Sequence, residues 1–237
     1  MRLSINIDHF ATLREARRSQ VPEPALAAML AEQAGAEGIV CHIRHDRRHI
    51  TERDLRILKD CIKTRLNVEM AATEEMKKIA LEIKPNVVSL VPEKPEELTT
   101  EGGLDVIAHK TLLGPHIREL QEAGILVSIF IDPDFDQINT AEELGVDRIE
   151  INTGKYADLT HGRKQEEALQ KVRAAAEHAF EMGLEVHAGH GLDYHNIEPI
   201  AAIPEISGFS IGFSIVARAS IVGIDTAVRD MIDLLIV

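Results

Sequence analysis

The feature that most constrains this chain is an eightfold alternation of short aliphatic runs with longer amphipathic or alanine-rich stretches. The short runs fall at residues 3–7, 38–43, 66–70, 86–91, 126–131, 148–151, 185–188 and 206–211. Aliphatic runs of this length, bounded by turn residues, read as strands covered on both faces, and such strands belong to parallel sheets. Between them the spacing predicts helices over 24–34, 51–63, 73–83, 115–123, 136–144 and 165–182, with short ones around Ala217 and over 226–235. Pro24 near a start, Gly35 after an end, and Thr51 and Asp54 spaced as a capping box mark the boundaries. Eight strand–helix units in 237 residues make the (β/α)₈ TIM-barrel pattern, expected as one domain over 1–237. An open doubly wound sheet also alternates, but no Gly-x-Gly-x-x-Gly follows the first run.

Composition narrows the partners. Trp is absent and aromatics are 3%, so the core must be aliphatic, unlike that of an aromatic-rich β-sandwich. A net charge of −13 leaves no extended basic face for nucleic acid. No apolar run approaches the roughly 18 residues needed to span a bilayer, and the N-terminus has no secretory segment, so a cytoplasmic setting without membrane partners is expected. Cys41 and Cys61 form neither a disulfide framework nor a metal-ligand spacing, and both thiols are expected to be buried.

In a barrel the C-terminal strand ends form the active face. Those ends offer Asn6, Asp8 and His9 from the first strand, His42 and Arg44 (with His49) from the second, and Glu69 from the third. The later strands add Glu150 and Asn152, His187 and His190, and Gly212. Glu69 lies between Val68 and Met70, which point the opposite way in a strand. Facing the barrel mouth, its carboxyl would be desolvated and suited to act as a base near neutral pH. The competing reading is a structural glutamate paired with a buried cation, and Glu150 has the same ambiguity. His42 alone would read as a core histidine, but Arg44, His49 and Glu69 around it combine acid/base groups with cations that could hold phosphate. Gly189-His190-Gly191 and Gly212-Phe213-Ser214 follow the last two strands, where barrels often bind phosphate. Arg14, Arg17 and Arg18 read as a cationic cluster on a solvated loop. A metal site is not expected, since His45 and His49 precede the helix start.

The same positions carry a family resemblance. Asn6-Ile7-Asp8-His9-Phe10-Ala11-Thr12-Leu13-Arg14, His42-Ile43-Arg44-His45-Asp46-Arg47-Arg48-His49-Ile50 and Asn67-Val68-Glu69-Met70-Ala71 resemble the pyridoxine 5′-phosphate synthase family of vitamin B6 biosynthesis. So do Leu90-Val91-Pro92-Glu93-Lys94, Thr99-Thr100-Glu101-Gly102-Gly103-Leu104-Asp105 and Ala188-Gly189-His190-Gly191-Leu192. The resemblance implies a barrel with extra helices, a homo-octamer, and a cofactor-free condensation of 1-deoxy-D-xylulose 5-phosphate with 3-amino-2-oxopropyl phosphate. It implies His42 and Glu69 as proton acceptors, His190 as proton donor and Glu150 as a transition-state stabiliser. Asp8, His9, Arg44, His49 and Thr99 would hold the deoxyxylulose phosphate. Asn6, Arg17, Gly191, Gly212 and Phe213 would hold the aminoketone phosphate. Family members often carry His where this chain has Phe213. A metal-dependent barrel hydrolase and a non-catalytic phosphosugar-binding barrel are the competing readings.

Overall fold

The structure, a computed structural model, describes residues 1–93, 102–160 and 162–236. Eight parallel strands close into a barrel in chain order: β1 Arg2–Asn6, β2 Gly38–His42, β3 Arg65–Met70, β4 Val87–Leu90, β5 Leu126–Ile131, β6 Arg148–Asn152, β7 Glu185–Gly189 and β8 Ile206–Ile211. Around them run α1 Asp8–Arg17, α2 Pro24–Ala34, α3 Glu52–Cys61, α4 Glu74–Ile83, α5 Val106–Glu122 and α6 Phe135–Glu143. The remainder are α7 Gly154–Ala157, α8 Arg163–Glu181, α9 Ile197–Ala201, α10 Phe213–Val222 and α11 Ile224–Leu235. The barrel and the extra helices agree with the expectation from sequence.

Strand alternation sorts the side chains. One parity of each strand is aliphatic and lies fully buried beneath the helices, as with Ile39, Cys41, Val68, Ile149 and Ile151. The other parity enters the lumen and is mostly polar. Near the bottom, Glu185 pairs with Arg2, with Arg148 at 3.2 Å and with His187 at 3.1 Å. Burial drives His187 down to about 4, so its imidazole is neutral there. His187 therefore belongs to this lower network and not to the mouth. Higher up, Ser89 Oγ donates to Asn67 Oδ1 at 3.0 Å. Pairing register sets the top layer, with His42 opposite Glu69 and Gly189 opposite Ser210. A slip of one residue would turn these groups under the helices, where no polar partner awaits them.

Four helices depart from the sequence reading, one of them α9, which lies between β7 and β8 where no helix was expected. The stretch after β1 is α1, not a loop. Arg14 faces inward from it and is buried, with its guanidinium bound to both oxygens of Asp54 at 2.7 and 2.8 Å. α5 starts nine residues before Pro115, where Asp105 accepts from the Ala108 N–H, so the proline sits inside the helix instead of opening it. α7 is a single turn within the polar connection after β6. Cys61 is only half-buried, at the last residue of α3.

The Arg14–Asp54 pair ties α1 to the start of α3, where Asp54 also accepts from the Thr51 N–H at 2.9 Å in a capping box. Burial alone would raise the Asp54 carboxyl, but Arg14 and Thr51 hold it below 3.8. Its contribution is therefore present above pH 3.8 and is lost as pH falls below it. Asp54→Asn is expected to cost about 3 kcal/mol in denaturant unfolding, because it leaves a buried guanidinium without its counter-charge. A loss under about 1 kcal/mol would show that the pair contributes little.

Candidate active site

The C-terminal strand ends enclose a cavity of about 660 Å³. Twelve of the side chains or glycines singled out from sequence line it: Asn6, Asp8, His9, His42, Arg44, His49, Glu69, Glu150, His190, Gly191, Gly212 and Phe213. Thr99 lies outside the described residues. Arg17 does not line the cavity. It is exposed in the last turn of α1, about 14 Å of helix beyond Asp8, and α1 carries it away from the mouth.

The β1 and β2 ends are locked together. Asp8 Oδ1 accepts from the His42 N–H at 2.8 Å, and Asp8 Oδ2 accepts from Asn6 Nδ2 at 3.0 Å. Asn6 Oδ1 in turn accepts from the Asp8 N–H at 2.9 Å, which closes a side-chain-capped turn at the strand end. The His42 imidazole is oriented from behind by Glu93, whose Oε1 lies 2.9 Å from Nε2. The other Glu93 oxygen takes the His45 N–H and imidazole at 3.2 and 3.1 Å. Burial opposes the Glu93 anion, but these histidine bonds prevail and hold it at about 2. Glu93 was no candidate from sequence. Its signal was position, directly after β4 in Val91-Pro92-Glu93.

His49 stands beside His42, with ring centroids 6.1 Å apart. Its Nδ1 accepts from the Ile50 N–H at 2.9 Å, so the neutral ring carries its proton on Nε2. Burial, reinforced by His42, Arg44 and His9, lowers its pKa, although Asp8 acts in the opposite direction. Arg44 is almost fully buried, with Asp46 at 3.6 Å from its Nε. Of the other arginines in this stretch, Arg47 bonds Glu52, Glu75 and two carbonyls as a loop brace. Arg48 pairs with Asp46 and reaches the cavity wall.

Glu69 and Glu150 face one another's field deep in the mouth. Glu69 is partly accessible through the cavity, yet burial, with Glu150 and Asp8 nearby, pushes its carboxyl well above 4.5. Burial raises Glu150 as well, against a hydrogen bond from Ser210 Oγ at 3.0 Å and the field of Arg148. Gly189 leaves the room for Glu150, since a Cβ there would stand 2.2 Å from its Oε1. His190 completes the ring of ionisable groups, its ring 6.1 Å from that of Phe130, and burial lowers its pKa. Phe130 and Ser210 were also missed from sequence, because each sits mid-run among aliphatic residues. Phe213 is 69% exposed and meets His9 edge-on at 5.3 Å. Among the described residues, no group of three His, Cys, Asp or Glu side chains is arranged to hold a metal ion.

Fold and cavity together define a class, a (β/α)₈ barrel with an acid/base cavity at its strand C-termini. The chain belongs to the family described as "Pyridoxal phosphate biosynthesis protein PdxJ", whose model matches residues 3–236. It is 53% identical to the pyridoxine 5′-phosphate synthase of Geotalea daltonii over 98% of both chains. It is 53% identical to that of Chlorobium luteolum over 99% of this chain and all of the relative. Among solved structures it is similar to KGPDC from Streptococcus mutans, with a TM-score of 0.66 at 14% identity over 98% of this chain and 96% of the other. The phosphoribosyl anthranilate isomerase of Thermus thermophilus gives 0.62 at 14% identity over 99% and 98%. At such identities these two likenesses concern the fold alone.

The carboxyl pair is directly testable. In an isotope-edited NMR titration Glu69 is expected to titrate above 4.5, and Glu150→Gln should move it downward by removing a like charge. An unmoved Glu69 would show the two carboxyls to be uncoupled. With folded pKa values raised above the unfolded ones, both groups favour the folded state below their unfolded pKa. That contribution is lost as pH rises through their folded values.

Proposed function

We propose that this cavity condenses 1-deoxy-D-xylulose 5-phosphate with 3-amino-2-oxopropyl phosphate to give pyridoxine 5′-phosphate, phosphate and water, without a cofactor. The observation that carries this reading is the convergence of Glu69, Glu150, His42 and His190 on one cavity in a member of this family. Among the described residues no lysine lines the cavity, in keeping with an imine formed between the two substrates. Lys155 is held instead by Asp132, at 2.9 Å.

The roles are those that the family resemblance implies, and the positions in the cavity support them. Arg44 and the Nε2–H of His49 grip the deoxyxylulose phosphate, with His9 and Asp8 on that side; Thr99 is assigned to this substrate by family resemblance alone. Asp8 retains lone pairs beyond its bonds to His42 and Asn6, and these accept a sugar hydroxyl. Gly191, Gly212 and Phe213 take the aminoketone phosphate through backbone N–H groups, aided by the start of α10, with Asn6 beside them. At that corner Phe213 in place of His costs nothing, because the contact is made by backbone. Arg17 belongs to this side by family resemblance alone. His42, aligned by Glu93, and Glu69 remove protons during imine formation and ring closure. His190 returns protons to the leaving oxygens, and Glu150 steadies the positive charge that develops on nitrogen.

Homo-octamer assembly and a cytoplasmic setting are part of the same reading. Apolar residues Leu13, Leu26 and Met29 exposed on α1 and α2 support the former, which sedimentation velocity can test. Among the described residues no helix is long and apolar enough to cross a membrane.

The purified chain, given both substrates and no added metal, is expected to release phosphate and form the pyridine chromophore. Absence of product would sink the reading. Glu69→Gln and His190→Asn are each expected to lower kcat by about 10²–10⁴. Glu93→Gln should fall between these variants and the parent, because it keeps the bond to His42 but removes its charge. Unaltered turnover in Glu69→Gln and His190→Asn would remove these residues from the chemistry.

A further inference from the structure

The corner where β6 enters α7 has no part in the roles above, yet it is built around His190. Thr153 is fully buried. Its backbone N–H donates to Gly189 O at 2.9 Å. Its hydroxyl lies 2.8 Å from Gly189 O and 2.7 Å from His190 O, so one proton is shared between two successive carbonyls of the neighbouring strand end. The segment it holds is strained. His190 has φ +79° and Gly191 has φ +76°, so a non-glycine residue in left-handed backbone directly precedes a glycine in the same region. Such a conformation persists only where its surroundings over-determine it. The next residue, Gly154, supplies the matching space. A Cβ there would stand 2.8 Å from His190 Cδ2, so a side chain at 154 would displace the imidazole.

The carbonyl bond has a second consequence. In a trans peptide the N–H points opposite to the preceding C=O. Pinning His190 O onto Thr153 therefore turns the Gly191 N–H away from Thr153, and Gly191 is a cavity-lining residue. One hydroxyl thus governs both the backbone that carries the imidazole and the direction of the adjacent N–H.

We propose that Thr153 is a positioning residue, whose hydroxyl locks the His190–Gly191 peptide so that the imidazole and the Gly191 N–H serve the same substrate. This rests on the reading of His190 as proton donor and of Gly191 as a phosphate contact. Thr153 touches no substrate itself.

Thr153→Val keeps the shape and the N–H bond and removes only the hydroxyl. It should raise KM for 3-amino-2-oxopropyl phosphate about tenfold and lower kcat about tenfold, the scale of one lost buried hydrogen bond or somewhat more. KM for 1-deoxy-D-xylulose 5-phosphate should stay within about twofold, since that substrate is held on the β1 and β2 side. Thr153→Ser should restore both parameters to within about threefold of the parent, the scale set by keeping the hydrogen bond. Parent kinetics in Thr153→Val, or a loss shared equally by the two substrates, would overturn the proposal. Should Thr153→Val not fold, Thr153→Ala removes the same hydroxyl with a smaller side chain. It should lower kcat and raise KM for 3-amino-2-oxopropyl phosphate at an unchanged KM for the deoxyxylulose phosphate, and parent-like kinetics there would overturn the proposal. His190→Asn, assayed in parallel, separates the two levels. If it turns over like the parent, the role of His190 falls and the proposal with it. If it is inactive while Thr153→Val matches the parent, the Thr153 lock alone falls.

Discussion

A closed parallel barrel has one lumen, and strand alternation sends every second side chain of all eight strands into it. Everything at this site depends on that constraint. The outward parity is aliphatic and supplies the core under the helices, so stability does not depend on the lumen being apolar. The lumen can then hold charge at two levels. At the bottom, Arg2, Arg148 and Glu185 compensate one another. At the mouth, Glu69 and Glu150 face like charge, and the Arg148 field that reaches Glu150 does not overcome its burial. Burial raises both carboxyls and brings Glu150 to about 7, where it can exchange protons near neutrality.

The mouth is shaped by backbone as much as by side chains. Asp8 holds the His42 N–H, Gly189 gives Glu150 its space, and Ser210 fixes the carboxyl from β8, two strands along the barrel wall. Glu93 steadies His42 from behind, and Thr153 binds the carbonyls around His190. His42, Glu150 and His190 are thus each held by a group from another strand or loop, Glu93, Ser210 and Thr153 in turn. The distances between them follow from strand register, which is why residues far apart in sequence meet with little adjustment.

How much of this was legible in the sequence depended on the kind of signal. β5 and β8 were read to the residue, β5 stopped by Asp132 and β8 bounded by Glu205 and Gly212. The Thr51–Asp54 capping box was likewise local chemistry. α1 was missed because its first turn holds Asp8 and His9 in place of an apolar stripe, and Arg14 looked solvated because its partner lies 40 residues away. The N-terminal half of α5 was lost to Pro115, read as a start. The strand-end rule found most of the cavity wall. Ser210 and Thr153 could not be found that way, since their importance lies in contacts between strands that share no sequence spacing.

The central claim is that two separate anion corners flank the buried carboxyls. A crystal structure of the chain with inorganic phosphate tests this most directly. Two phosphates are expected in the cavity, one against Arg44 and His49, the other against the backbone of Gly191, Gly212 and Phe213, with Glu69 and Glu150 between them. Phosphate at neither corner, or a single ion seated against the carboxyls themselves, would contradict the account.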